Sequence, residues 1–166
     1  MQVVSYDEEK MATDQLEQNN ESIVNFSLQG TLPAGYTLAL NTALGTLAYL
    51  SYNEDGPIQL MQQQFSRSEL SVLLPLLKSF PYYCPYEVLY ASFYYSQVND
   101  QVVARCRQHL QQAFETGVWD QEIKPLRNVL SRTRLKLKNF GLNITSILET
   151  GYLLRVVFIP EIVAEP

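Results

Sequence analysis

Cysteine and histidine are scarce in this chain of 166 residues, which has two cysteines and one histidine. Cys84 and Cys106 form no CxxC pair, which argues against a zinc site or a disulfide framework, so we expect both to be small buried apolar side chains. His109 lies in a polar helical run, where a lone histidine is more often a surface residue than a general base. We therefore expect no metal site.

The chain also lacks the sequence motifs of common enzymes. Its seven glycines are scattered, and no phosphate-binding loop, nucleophile elbow or zinc-protease motif occurs. We predict no catalytic residues, no cofactor and no enzyme activity. No apolar run approaches the roughly 20 residues of a transmembrane helix, and Asp7, Glu8 and Glu9 argue against a signal peptide. These absences predict a cytoplasmic protein that does not bind membranes.

What the sequence does contain is enough apolar material for one folded domain. Hydrophobic residues make up 46% and charged residues 17%, a balance typical of globular proteins. The formal net charge of −5 argues against nucleic acid as a partner if the charge is spread evenly. It is not: residues 105–138 hold eight basic and three acidic side chains, a net charge of +5. The remainder holds four basic and fourteen acidic side chains, a net charge of −10.

The distribution of polar and apolar residues divides the chain into three parts. Residues 1–21 are rich in acidic and amide side chains and predict a flexible acidic arm. Residues 22–158 form the predicted domain, and residues 159–166 a short tail. Alternating apolar residues in the first third of the domain predict four antiparallel strands joined by short turns. The strands are expected at residues 23–28, 36–40, 46–51 and 58–61.

The apolar spacing then changes to that of helices. Ser66 and Glu69 have the spacing of a capping box, and leucines at helical intervals follow them. Pro75 is expected to kink or shorten this first helix. Pro85 is expected to stand at the first position of a second helix that runs to about Tyr95.

Two further helices and a hairpin complete the predicted domain. A third helix is expected with Asp100 as its cap and Gly117 at its end, and a fourth over residues 120–138. Residues 144–148 and 152–158 are expected to form a β-hairpin. The fourth helix has one apolar stripe, made of Leu126, Leu130, Thr133 and Leu137.

This order of elements resembles the effector domain of OmpR/PhoB-type response regulators, a winged helix-turn-helix. Four motifs are similar to those of the family: FSRSELSVLLPLL (65–77) to its first helix, residues 81–89 to the start of its second, LSRTRLKL (130–137) to its recognition helix and GYLL (151–154) to the end of its wing. The resemblance covers residues 22–158. It implies an α+β fold with an N-terminal four-stranded antiparallel sheet, a helical core and a C-terminal β-hairpin wing.

The resemblance also implies a function. In that family the last helix enters the major groove, where basic side chains contact phosphates and base edges. We therefore expect a stand-alone, divergent DNA-binding transcription regulator without a receiver domain. Leu148 and Glu149 depart from the family, whose wing has an arginine and a glycine there that approach the minor groove. The side chains expected to contact double-stranded DNA are Lys124, Arg127, Asn128, Ser131, Arg132, Arg134, Lys136 and Lys138.

A second hypothesis comes from the aromatic residues. Residues 80–95 contain eight of the nineteen aromatic side chains, more than one helix can bury, so some are expected to form a protein-binding face. Residues 96–120 form an enlarged segment with its own helix, and the corresponding loop of the family contacts RNA polymerase. The alternative is a winged-helix protein-interaction module with weak or no DNA binding, whose partner is RNA polymerase, another regulator or a second copy of the chain. The expected contact residues are Tyr82, Tyr83, Tyr86, Tyr90, Tyr94 and Tyr95.

Overall fold

The computed structural model describes residues 22–160. The acidic arm predicted over residues 1–21 and residues 161–166 of the predicted tail lie outside this part. The described chain has a mixed α+β fold, as expected, with a four-stranded antiparallel sheet, four α-helices and a small three-stranded sheet. None of the helices in the described part is long and apolar enough to cross a membrane.

The first sheet contains four strands in sequence order, each antiparallel to the next. The four strands are β1 (Ile23–Phe26), β2 (Tyr36–Asn41), β3 (Thr46–Asn53) and β4 (Gly56–Gln64). All four were predicted, but β4 is longer at both ends than expected because it pairs along the whole of β3. One face of the sheet is buried through alternate residues, among them Leu38, Leu40, Leu47 and Tyr49.

Four α-helices follow the sheet, and a short 3₁₀ turn (Lys138–Phe140) follows the last helix. The helices are α1 (Arg67–Ser79), α2 (Tyr86–Tyr94), α3 (Asp100–Glu115) and α4 (Trp119–Leu137). The capping box is confirmed. The Ser66 hydroxyl accepts a hydrogen bond from the backbone N–H of Glu69, and the Glu69 carboxylate accepts one from the backbone N–H of Ser66. Pro85 is the N-cap of α2 rather than its first residue.

The expected shortening of α1 at Pro75 does not occur, because α1 continues to Ser79. Proline has no backbone N–H, so the carbonyl of Ser71, four residues earlier, loses its partner within the helix. The hydroxyl of Ser92 on α2 donates a hydrogen bond to that carbonyl. The neighbouring helix thus satisfies the group that Pro75 leaves unpaired, and the bond ties α1 to α2.

The second sheet joins the start of α2 to the C-terminal hairpin. It contains β5 (Cys84–Pro85), β6 (Leu142–Ile147) and β7 (Gly151–Val156), in the order β5-β7-β6. The hairpin was predicted, with strands that begin slightly later than observed, whereas β5 was not. A side chain on Gly151 would collide with the backbone carbonyl of Cys84, so glycine is required where β5 meets β7.

The predicted burial of the cysteines and of the α4 stripe is confirmed. Cys84 and Cys106 are both buried, and burial raises the pKa of the Cys84 thiol to about 11. The four predicted stripe residues of α4 are buried together with Ile123 and Val129. The one polar member, Thr133, donates its hydroxyl to the Val129 carbonyl at 2.8 Å, so no polar group is left unpaired there.

Candidate nucleic-acid interface

The face of α4 opposite its buried stripe is exposed. Lys124, Asn128 and Ser131 follow one another at spacings of four and three residues, which places them in a row along the helix. Leu135, which is 63% exposed, continues the row, and Lys138 ends it in the 3₁₀ turn. Arg127 and Arg132 are exposed on either side of this row. Six of the eight residues expected to contact DNA therefore share one accessible face.

The other two expected contact residues, Arg134 and Lys136, are half-buried and bonded to other elements. The Nε of Arg134 donates to the carbonyl of Ile144 on β6 at 2.9 Å. The ammonium of Lys136 donates to the carbonyl of Gln64 at 2.9 Å and to the Glu69 carboxylate at 2.7 Å. Arg134 therefore supports the hairpin from α4, and Lys136 holds α4 against α1 and the first sheet.

The Lys136 charge is compensated by a buried carboxylate. Glu69 is only 3% exposed, and Lys136 also lies 5.4 Å from the centre of the Phe65 ring. Burial by itself raises the pKa of Glu69, but the hydrogen bonds from Lys136 and Ser66 outweigh it and hold the pKa below its ordinary value of 4.5. A lysine paired in this way contributes little positive charge to the surface of α4.

A groove of about 580 Å³ separates the start of α4 from the hairpin. Arg127 lies in it and donates to the Asp120 carboxylate at 3.1 Å. Burial disfavours the charged form of Arg127, but the Asp120 carboxylate outweighs it and raises the pKa of Arg127. The groove is also lined by the rings of Tyr86, Trp119 and Tyr152. Arg127 is therefore exposed on the face of α4, but the carboxylate of Asp120 partly compensates its positive charge.

The tip of the hairpin carries no basic side chain. Leu148 is 86% exposed, and Glu149 is exposed with a φ of 57°, a conformation that glycine adopts at lower cost. Both residues line the groove that contains Arg127. The hairpin tip therefore presents an apolar and a negatively charged side chain beside the basic helix.

Of the six tyrosines predicted to form a partner-binding surface, four are exposed and two are buried in the core. Tyr82 is 73% exposed, and Tyr83, Tyr94 and Tyr95 are about half exposed. Tyr86 and Tyr90 are buried, so neither can contribute to a partner surface in this structure. The ring of Tyr86 packs edge-on against Trp119 and Tyr152.

A polar cluster that was not predicted joins α2, α3 and α4. The Nε2 of His109 lies 3.0 Å from a carboxylate oxygen of Glu122, which also accepts from the Tyr90 hydroxyl at 3.2 Å. The hydrogen bond with His109, reinforced by that from Tyr90, holds the pKa of Glu122 below its ordinary value of 4.5 despite some burial. His109 is half exposed, as expected, but it is part of a contact between three helices. No local motif could have revealed this, because the three residues are far apart in sequence.

No group of three or more histidine, cysteine and acidic side chains within residues 22–160 is arranged to hold a metal ion. No protein-family model matches the chain. No curated protein and no solved structure matches it significantly either.

Proposed function

We propose that this chain is a winged-helix DNA-binding transcription regulator that places α4 in the major groove of DNA. The observation that carries the proposal is the exposed face of α4. It presents basic and amide side chains in a row, opposite a stripe that anchors the helix in the core. An exposed helix face with these side chains suits the major groove, which admits one α-helix.

The surrounding elements support this proposal. The hairpin β6–β7 follows α4 after the short 3₁₀ turn, and Arg134 bonds α4 to the hairpin. The strand β5 adds the start of α2 to the same small sheet. In a winged helix-turn-helix, a shorter helix precedes the recognition helix and a hairpin follows it. The elements α3, α4 and β6–β7 occur in that order.

The charges on α4 indicate how DNA would be held. Lys124, Arg132 and Lys138 are exposed and form no ion pair with another described residue, so they are available to phosphates. Asn128 can pair with adenine, and an arginine with guanine. Glu149 would repel a phosphate near the minor groove, so we expect modest affinity that depends strongly on salt.

The test is fluorescence anisotropy of a labelled, mixed-sequence DNA duplex titrated with the protein at increasing salt. Three or four phosphate contacts predict that log affinity falls with log salt with a slope of about −3 to −4. No salt-sensitive binding at about 50 mM salt would refute the proposal.

Charge reversal locates the binding face. The double variant Lys124→Glu with Arg132→Glu loses two phosphate contacts. The slope of log affinity against log salt should therefore become less negative by about 2, and the affinity for DNA should drop sharply. Arg134 is left intact because it supports the hairpin. The matched control is Arg67→Glu with Lys78→Glu, the same change in net charge at exposed positions on α1. Equal losses in both variants would mean that α4 is not the DNA-binding face.

The exposed tyrosines favour a second candidate function, a protein-interaction module built on the same frame. Tyr82 and Tyr83 precede α2, and Tyr94 and Tyr95 lie at its end. Tyrosine is enriched at the centres of protein interfaces. Sedimentation equilibrium tests self-association directly, and replacing Tyr94 and Tyr95 with serine should weaken any dimer that uses this surface.

A further inference from the structure

A second groove, on the surface of α1 and α2, lies apart from the basic face of α4. It has a volume of about 590 Å³. Leu70, Leu74 and Pro75 of α1 form one side. Val88 of α2 and Val98 beyond its end line the other side. These side chains are only partly buried or exposed, so the groove offers apolar surface that the described chain leaves uncovered.

Positive charge marks both ends of this groove. Arg67 lies in the first turn of α1 and Lys78 in its last turn, and both are exposed and line the groove. No acidic side chain within residues 22–160 lines it, although the chain as a whole has a net charge of −5. The groove is thus lined by apolar side chains and serines, and it has a basic side chain near each end of α1.

The dimensions of the groove fit one kind of occupant. Lys78 lies eleven positions after Arg67 along α1, which corresponds to about 16 Å at the rise of an α-helix. Three turns of a second helix have the same length. An amphipathic helix of that length presents apolar residues at spacings of three and four along one face. Acidic side chains near its two ends would then meet Arg67 and Lys78.

The groove is also held in shape before anything binds. The Ser92 hydroxyl donates a hydrogen bond to the Ser71 carbonyl and links α1 to α2 at two residues that line the groove. A preformed groove loses less conformational freedom on binding than one that must be assembled.

We propose that the groove between α1 and α2 binds an acidic amphipathic α-helix of a partner protein, about three turns long. The inference rests on the second candidate function and names its partner class, and it uses no residue of the proposed DNA-binding face. Apolar contacts along the groove supply most of the affinity, and Arg67 and Lys78 select acidic partners over basic ones.

The test uses a synthetic amphipathic peptide of about fourteen residues, with leucines at helical spacing and acidic residues elsewhere. A control peptide keeps the leucines and replaces every acidic residue with lysine. The full chain, labelled with ¹⁵N, is titrated with each peptide and followed by NMR. We expect the acidic peptide alone to bind and to shift the backbone signals of Ser71, Ser92 and Val98.

The charge-reversal variants then separate this site from α4. The double variant Arg67→Glu with Lys78→Glu should bind the acidic peptide about tenfold more weakly, which corresponds to about 1.4 kcal/mol of binding free energy. The double variant Lys124→Glu with Arg132→Glu should bind the acidic peptide as tightly as the unmodified chain does, although its affinity for DNA is lost. Circular dichroism confirms that both variants are folded. Equal binding of both peptides, signal changes confined to α4, or no binding would each overturn the proposal.

One competing occupant is the chain's own acidic segment, residues 1–21, which has a net charge of −5. A variant with Asp7→Asn, Glu8→Gln and Glu9→Gln distinguishes this case. If the peptide binds this variant but not the unmodified chain, the chain's own segment occupies the groove and the partner proposal is overturned. Equal binding to both chains supports the partner proposal.

Discussion

The hydrogen bond between the Ser92 hydroxyl and the Ser71 carbonyl gives the sharpest test of how the helices are held together. Replacing Ser92→Ala leaves this half-buried carbonyl without a donor, because Pro75 cannot supply one. An unsatisfied buried acceptor costs about 1–3 kcal/mol. Both serines are only half-buried, so water compensates in part and we expect about 1–2 kcal/mol lost from the free energy of unfolding.

A second substitution isolates the cause of that loss. In a Pro75→Ala background, residue 75 regains a backbone N–H that can donate to the Ser71 carbonyl within α1. Ser92→Ala should then cost less than about 0.5 kcal/mol. The double-mutant cycle over Ser92 and Pro75 should therefore show a coupling energy of about 1 kcal/mol.

Urea denaturation, followed by circular dichroism and by Trp119 fluorescence, measures the free energy of unfolding of each variant. Ser96→Ala is the matched control, because Ser96 is an exposed serine that lines the same groove. Its effect should stay within about 0.5 kcal/mol. The same loss from Ser92→Ala in both backgrounds would refute the idea that Ser92 replaces the donor missing at Pro75.

Three further substitutions and a change of pH test other contacts. Lys136→Met leaves the buried Glu69 charge unpaired and should lower the free energy of unfolding by about 3–5 kcal/mol; a urea midpoint equal to that of the unmodified chain would contradict this. Gly151→Ala should destabilise the fold strongly, because the methyl group meets the Cys84 carbonyl, and loss of hairpin protection in hydrogen exchange would show where. Glu69 and Glu122 have lowered pKa values in the folded state, so they add stability above about pH 4.5 that is lost as the pH falls through their folded pKa values. Urea midpoints should therefore fall below pH 4.5, and Glu122→Gln should reduce that dependence.

The elements with strong local signals were predictable from the sequence. Alternating apolar residues indicated the strands of the first sheet, and Ser66 and Glu69 marked the start of α1. Features that depend on contacts between residues distant in sequence could not be predicted in this way. The strand β5 exists because Cys84 and Pro85 pair with the hairpin, and the carbonyl that Pro75 leaves unpaired within α1 is bonded by a serine on another helix.

The same distinction applies to the candidate sites. Helical periodicity indicated which face of α4 is exposed. It could not show that Lys136, on the edge of that face, pairs with Glu69 on another helix, or that Arg134 bonds the hairpin. It also could not separate the buried Tyr86 and Tyr90 from their exposed neighbours, because burial depends on which elements pack against α2.

The pairing of β5 with β7 affects the order in which the molecule can form during synthesis. Every strand of the first sheet pairs with the next strand in sequence, so that sheet can form soon after β4 leaves the ribosome. The second sheet must wait, because Cys84 pairs with Tyr152 near the end of the described chain. A nascent chain that ends after α4 therefore has its basic helix but lacks the hairpin that Arg134 would bond. Among the elements within residues 22–160, those proposed to bind DNA are therefore the last to be completed.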